Sequence, residues 1–134
     1  MTVPWAYRPF EQSHEPICVV DDDESVADSL KSLLETFGFE VSCYSSGAEF
    51  LADTRRRIAS CLVLDQHMPG LNGLDIVDHL QKEGVRVPTI LISGRLNTNI
   101  RERASSLGVT SVIEKPFAAD RLVNLIRSAL LERN

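Results

Sequence analysis

Residues 61–65 read Cys-Leu-Val-Leu-Asp, and residues 89–93 read Thr-Ile-Leu-Ile-Ser. Each run is almost wholly apolar and ends on a polar residue. A strand with one face in water alternates apolar and polar positions. A run that is apolar on both faces is expected where helices cover both sides of a parallel sheet. Outward from these two runs, strand and helix patterns alternate along the chain. Strands are expected over residues 17–21, 40–44, 60–65, 88–93 and 109–113, and helices over 24–37, 47–56, 72–83, 97–107 and 119–131. The first helix carries Val26, Leu30, Leu33, Leu34 and Phe37 on one face; the last carries Leu122, Leu125, Ile126, Ala129 and Leu130. Asp23 is placed to cap the first helix, and Gly38, Gly84 and Gly108 to stop the helices before them. Five strand–helix units in series imply an α/β fold, a doubly wound parallel sheet with right-handed crossovers.

A chain of 134 residues suits a single domain. Its formal net charge of -5 repels the phosphate backbone and anionic lipid, so neither nucleic acid nor a membrane surface is the expected partner of this segment. No apolar run reaches the length of a membrane span, and the N-terminus lacks the continuous apolar segment of a signal peptide. A cytoplasmic setting is expected. Cys18, Cys43 and Cys61 lie in apolar runs without a CxxC pair or a His at ligand spacing, and are read as small buried hydrophobes. The triplet Arg55-Arg56-Arg57 is read as the solvated end of the second helix, where positive charge suits the dipole. Residues 1–16 form an N-terminal extension. Pro4, Pro9 and Pro16 argue against a helix there, and Trp5, Tyr7 and Phe10 against a purely solvated tail.

In an open parallel sheet, ligands bind at the carboxyl ends of the strands. The first strand ends in Asp21-Asp22-Asp23, the third in Asp65, the fourth in Ser93-Gly94, and the fifth is followed by Lys115-Pro116. A nucleotide-binding sheet would carry a glycine-rich loop after its first strand. Carboxylates at that place would repel a bare phosphate and call for a cation instead. An all-oxygen donor set suits Mg²⁺, with Mn²⁺ as the other candidate. Lys115 and the Ser93 hydroxyl are natural partners for phosphoryl oxygens. Each of these residues alone has a plainer role, as helix cap or surface lysine. Four strand ends converging on one chemistry point to a cation-assisted site that transfers or holds a phosphoryl group.

The segments Val19-Val20-Asp21-Asp22-Asp23, residues 62–73 (LVLDQHMPGLNG), Ile90-Leu91-Ile92-Ser93-Gly94 and Ile113-Glu114-Lys115-Pro116-Phe117 resemble the receiver domain of two-component response regulators. The resemblance spans residues 17–132. It implies a flavodoxin-like (βα)5 sheet in the order 2-1-3-4-5, with Asp65 as phosphoacceptor for a sensor histidine kinase or phosphotransfer protein. It implies that Asp21, Asp22, Asp65 and the backbone carbonyl of His67 hold Mg²⁺. Ser93 would bond the phosphoryl group after transfer, Lys115 would pair with one of its oxygens, and the Lys115–Pro116 peptide would be cis. The chain would then be a signalling phosphoacceptor rather than an enzyme acting on other molecules. His67 and Arg95 fall at positions that border the path of the attacking water and should tune the lifetime of the acyl phosphate.

One departure stands out. The family has Tyr or Phe where this chain has Val112, so the switch read through Ser93 and position 112 is expected to differ. Two other readings compete. Asp21-x-Asp23-x-Ser25 resembles the haloacid-dehalogenase phosphatases, with Asp21 as nucleophile and Asp23 as general acid. The other is a receiver-shaped binding module that never uses phosphate. The end of the chain just after the last helix suits a stand-alone regulator, the preferred expectation, or a piece of a longer one. The segment around Lys115-Pro116-Phe117 resembles regulators that continue into a DNA-binding effector. An output protein, a further effector domain and a second copy of the chain are the candidate partners.

Overall fold

The computed structural model describes residues 15–53 and 59–132. Five strands, β1 (Ile17–Val20), β2 (Val41–Tyr44), β3 (Cys61–Asp65), β4 (Thr89–Ser93) and β5 (Ser111–Glu114), alternate with five helices. The helices are α1 (Glu24–Thr36), α2 (Gly47–Ala52), α3 (Gly73–Lys82), α4 (Thr98–Ser106) and α5 (Ala119–Glu132). All strand pairs are parallel, as the strand–helix alternation implies, and the sheet order is β2-β1-β3-β4-β5, as the family resemblance implies. The expected extension up to residue 14 and the triplet Arg55-Arg56-Arg57 lie outside the described residues.

The strand alternation sorts the core into two layers. Val19, Val63, Ile90 and Ile92 pack with Leu30 and Leu34 of α1 and Leu122 and Ile126 of α5. Val20, Leu62, Leu64 and Leu91 pack on the other face with Phe50 of α2, Leu74, Ile76 and Leu80 of α3, and Ala104 of α4. This is why the central strands read as unbroken apolar runs: both faces are covered.

Polar side chains fix the helix starts. Asp23, Ser46, Asn72 and Asn97 each accept backbone N–H groups as N-caps, and Asn72 with Asp75 forms a reciprocal capping box. At the other end of α4, Gly108 has φ of 76° and Val109 donates its N–H back to the Ala104 carbonyl at 3.0 Å. That closure takes up the Val109 N–H, so β5 begins at Ser111 instead of the expected 109. The second helix ends at Ala52 with Asp53 as its C-cap, short of the expected 56.

Two side chains depart from the apolar pattern. Phe37, expected on the buried face of α1, is 41% exposed, with the Arg127 guanidinium 5.5 Å from its ring centroid. Cys43, expected to be buried, is exposed on the edge strand β2, where the sheet has no covering neighbour on one side; Cys18 and Cys61 are buried.

Gly73 opens α3 directly behind the end of β3. A Cβ there would lie 2.6 Å from Leu91 Cδ1, 3.0 Å from the Asp65 carbonyl oxygen and 3.2 Å from Gln66 Oε1. Leu91 is fully buried and has nowhere to retreat. Gly73→Ala should therefore destabilise the fold by about 1–3 kcal/mol, measured as a lower urea midpoint with unchanged slope.

Candidate functional site

The parallel ladder continues one residue past each strand, and this brings the polar termini together. Asp21 N–H donates to the Tyr44 carbonyl (3.1 Å), Gln66 N–H to the Ile92 carbonyl (2.8 Å) and Lys115 N–H to the Ser93 carbonyl (2.9 Å). Asp21, Asp65, Ser93 and Lys115 thus share one edge of the sheet, at the carboxyl ends of β1, β3, β4 and β5. Asp65, His67, Gly94, Arg95 and Lys115 line a cleft of about 390 Å³ there.

The acids are close. Carboxylate oxygens of Asp21, Asp22 and Asp65 lie within 4.8 Å of one another. Asp21 and Asp65 are buried and Asp22 is exposed. Lys115 Nζ stands 3.8 Å from Asp65 Oδ1. Backbone donors fix the carboxylates: Asp23 N–H donates to Asp21 Oδ1 (2.9 Å) and His67 N–H to Asp65 Oδ1 (3.3 Å).

Burial pushes the Asp21 carboxyl up to about 6. The Asp23 N–H and Lys115 oppose that rise, while the Asp65 and Asp22 charges add to it. The fold favours the protonated form, so this contribution to stability is complete below the ordinary value of 3.8 and is lost as pH rises through about 6. With a chelator present, the urea midpoint should fall over that window, by the equivalent of about 2–3 kcal/mol at most. Asp21→Asn should flatten that fall.

Three oxygen donors with excess negative charge and a half-buried pocket fit a hard divalent cation. A cation there would favour the ionised Asp21 carboxylate, against the burial and the neighbouring Asp65 and Asp22 charges that push its carboxyl up. The His67 backbone carbonyl adjoins Asp65 in the loop after β3, where the family resemblance puts a further oxygen ligand.

Ser93 is fully buried, and its hydroxyl is engaged on two sides. Arg95 N–H donates to Ser93 Oγ at 3.1 Å, and His67 Nε2 lies 2.8 Å from the same oxygen. The His67–Ser93 contact joins the β3 and β4 loops across 26 residues of sequence, and no sequence signal marks it. The Lys115–Pro116 peptide is cis. Val112 is half-buried and packs with the α2–α3–α4 side of the core.

Two further residues shape the site without having been marked in the sequence. Gln66 is buried, and its Oε1 accepts the Leu74 N–H at 2.9 Å, which ties the loop after β3 to the first turn of α3. Glu114 Oε2 accepts the Leu96 N–H at 3.4 Å and tethers the β4–α4 loop to β5. A polar residue just past an apolar strand was the available signal for Gln66. Asp23, by contrast, spends its carboxylate on the Ser25 and Val26 N–H groups of α1.

Residues 17–127 match the family model described as the response regulator receiver domain. The response regulator protein TodT of Pseudomonas putida is 38% identical over 114 residues, covering 85% of this chain and 50% of TodT. The transcriptional regulatory protein FixJ of Azorhizobium caulinodans is 33% identical over 115 residues, covering 86% of this chain and 54% of FixJ. Among solved structures, that of FixJ-N superposes with a TM-score of 0.80 at 30% identity, covering 87% of this chain and 94% of FixJ-N. The chain spans about half the length of these curated relatives. Among the described residues, no helix is long and apolar enough to cross a membrane.

Proposed function

The chain belongs to the response regulator receiver domain family, and from that premise we propose that Asp65 is the phosphoacceptor of a two-component pathway. The observation that carries the reading is the grouping of Asp21, Asp22 and Asp65 oxygens within 4.8 Å, with Lys115 Nζ 3.8 Å from the Asp65 carboxylate. An Asp65 oxygen attacks the phosphorus of a phosphohistidine on a sensor kinase or phosphotransfer protein. The P–N bond breaks, the imidazole leaves, and the phosphoryl group is held as an acyl phosphate. Lys115 pairs with a transferred oxygen, and Ser93 donates its hydroxyl proton to another once transfer is complete. Asp21, Asp22, Asp65 and the His67 carbonyl would hold Mg²⁺, or Mn²⁺ in its place. The chemistry this cation supplies is neutralisation of charge on the transferring group. His67 and Arg95 line the cleft through which hydrolytic water reaches the acyl phosphate, and they set its lifetime.

The chain would act in the cytoplasm as a signalling element, with an output protein, a linked effector or a second copy as recipient of the signal. Val112 gives that output no large aromatic ring to swing, so the signal to α4 takes another route. The phosphatase reading needs Asp23 as general acid, and the capping role of Asp23 leaves that task unfilled. The test is incubation with acetyl phosphate and Mg²⁺ followed by intact mass. A gain of one phosphoryl group is expected. No gain would favour a receiver-shaped module that does not use phosphate.

A further inference from the structure

Ser93 Oγ offers one proton and two lone pairs. One lone pair takes the Arg95 N–H at 3.1 Å, and His67 Nε2 at 2.8 Å takes the next place. A hydroxyl oxygen that already accepts an N–H is polarised to donate, because successive hydrogen bonds reinforce one another. We propose that His67 is a positioning residue that holds the Ser93 proton in the resting site, its ring carrying hydrogen on Nδ1 and accepting at Nε2.

This inference rests on Asp65 being the phosphoacceptor. Phosphoryl oxygens are acceptors only, so Ser93 can reach them only through that one proton. A charged phosphoryl oxygen outcompetes a neutral imidazole nitrogen, since charge-assisted hydrogen bonds are roughly twice as strong as neutral ones. Arrival of the phosphoryl group therefore takes the proton contact away from His67 and releases the ring. The lone-pair contact with Arg95 N–H need not change. His67 is exposed whereas Ser93 is fully buried, so the released ring carries the state of a buried hydroxyl to the surface. Val112 has no polar atom with which to follow Ser93. The histidine thus supplies a readout that the aliphatic side chain cannot.

Because the contact exists only in the resting form, its removal should favour the phosphoryl-bound form. His67→Ala should tighten the binding of beryllofluoride, a phosphoryl mimic, in the presence of Mg²⁺ by roughly two- to tenfold, the range of one neutral hydrogen bond. His67→Gln, whose amide oxygen can accept at a similar reach, should return the affinity towards that of the unaltered chain.

The deciding measurement is nitrogen NMR of the His67 ring in the full chain, with and without Mg²⁺ and beryllofluoride, beside intact mass after acetyl phosphate. The expected result is an Nδ1–H tautomer with a hydrogen-bonded Nε2 in the resting form, and loss of that bond signature when the mimic binds. Phosphoryl uptake with unmoved His67 ring resonances would overturn the inference and leave the phosphoacceptor reading standing. Unchanged beryllofluoride affinity in His67→Ala would overturn it too. Absence of phosphoryl uptake would overturn both.

Discussion

Asp65→Asn should abolish phosphoryl uptake from acetyl phosphate and from a phosphohistidine donor. The substitution keeps the size of the side chain and removes the nucleophilic oxygen. Asn can still accept the His67 N–H, so the loop after β3 keeps its anchor. The backbone link from Gln66 to Ile92 and the Gln66 contact with Leu74 do not involve the Asp65 side chain. A folded variant that takes up nothing is the expected result, with circular dichroism matching the unaltered chain and no mass gain after long incubation. Residual uptake at the rate of the unaltered chain would assign the acceptor elsewhere.

Lys115→Ala should leave the acceptor in place and slow its phosphorylation by roughly 10²–10³-fold, the loss expected when one preorganised partner of developing oxyanion charge is removed. The ammonium already stands 3.8 Å from the Asp65 carboxylate, longer than a tight hydrogen bond. That distance suits a group whose stronger partner arrives with the substrate. The resting pair is half-exposed on the lysine side, so its loss should cost little stability. Rate and stability effects should therefore separate: a large fall in the rate of mass gain, with the urea midpoint nearly unchanged. Lys115→Arg would keep the charge while changing its reach and geometry, and should recover only part of the rate.

The fold was legible because its central strands leave no choice. Residues 61–65 and 89–93 are too apolar for an edge or a half-wet sheet, and covering them requires helices on both faces. Boundaries were less legible where a backbone bond decided them. Val109 is as good a strand residue as any, yet its N–H closes α4. Phe37 fits the helical spacing of α1, but it falls at the last turn, where the ring meets Arg127 and solvent. Cys43 lies in an apolar run, but β2 is an edge strand, and one position on it faces outward.

The candidate site divides in the same way. Asp21, Asp65, Ser93 and Lys115 could be named because each ends or follows a strand, and strand ends in a parallel sheet share an edge. How the side chains meet could not be read. The His67–Ser93 bond depends on a ring turned across two loops, and the Gln66 contact with Leu74 on a buried amide turned back to a helix start. The close approach of Gly73 to the Asp65 carbonyl depends on how α3 docks behind β3. These are properties of packing between segments far apart in sequence, and single-residue patterns carry no trace of them.

Chemical trapping locates the acceptor directly. Reduction of the phosphorylated chain with borohydride converts an aspartyl phosphate to homoserine, and peptide mapping locates it. Homoserine is expected at position 65 alone. Homoserine at position 21, or a phosphoryl group that resists reduction, would contradict it.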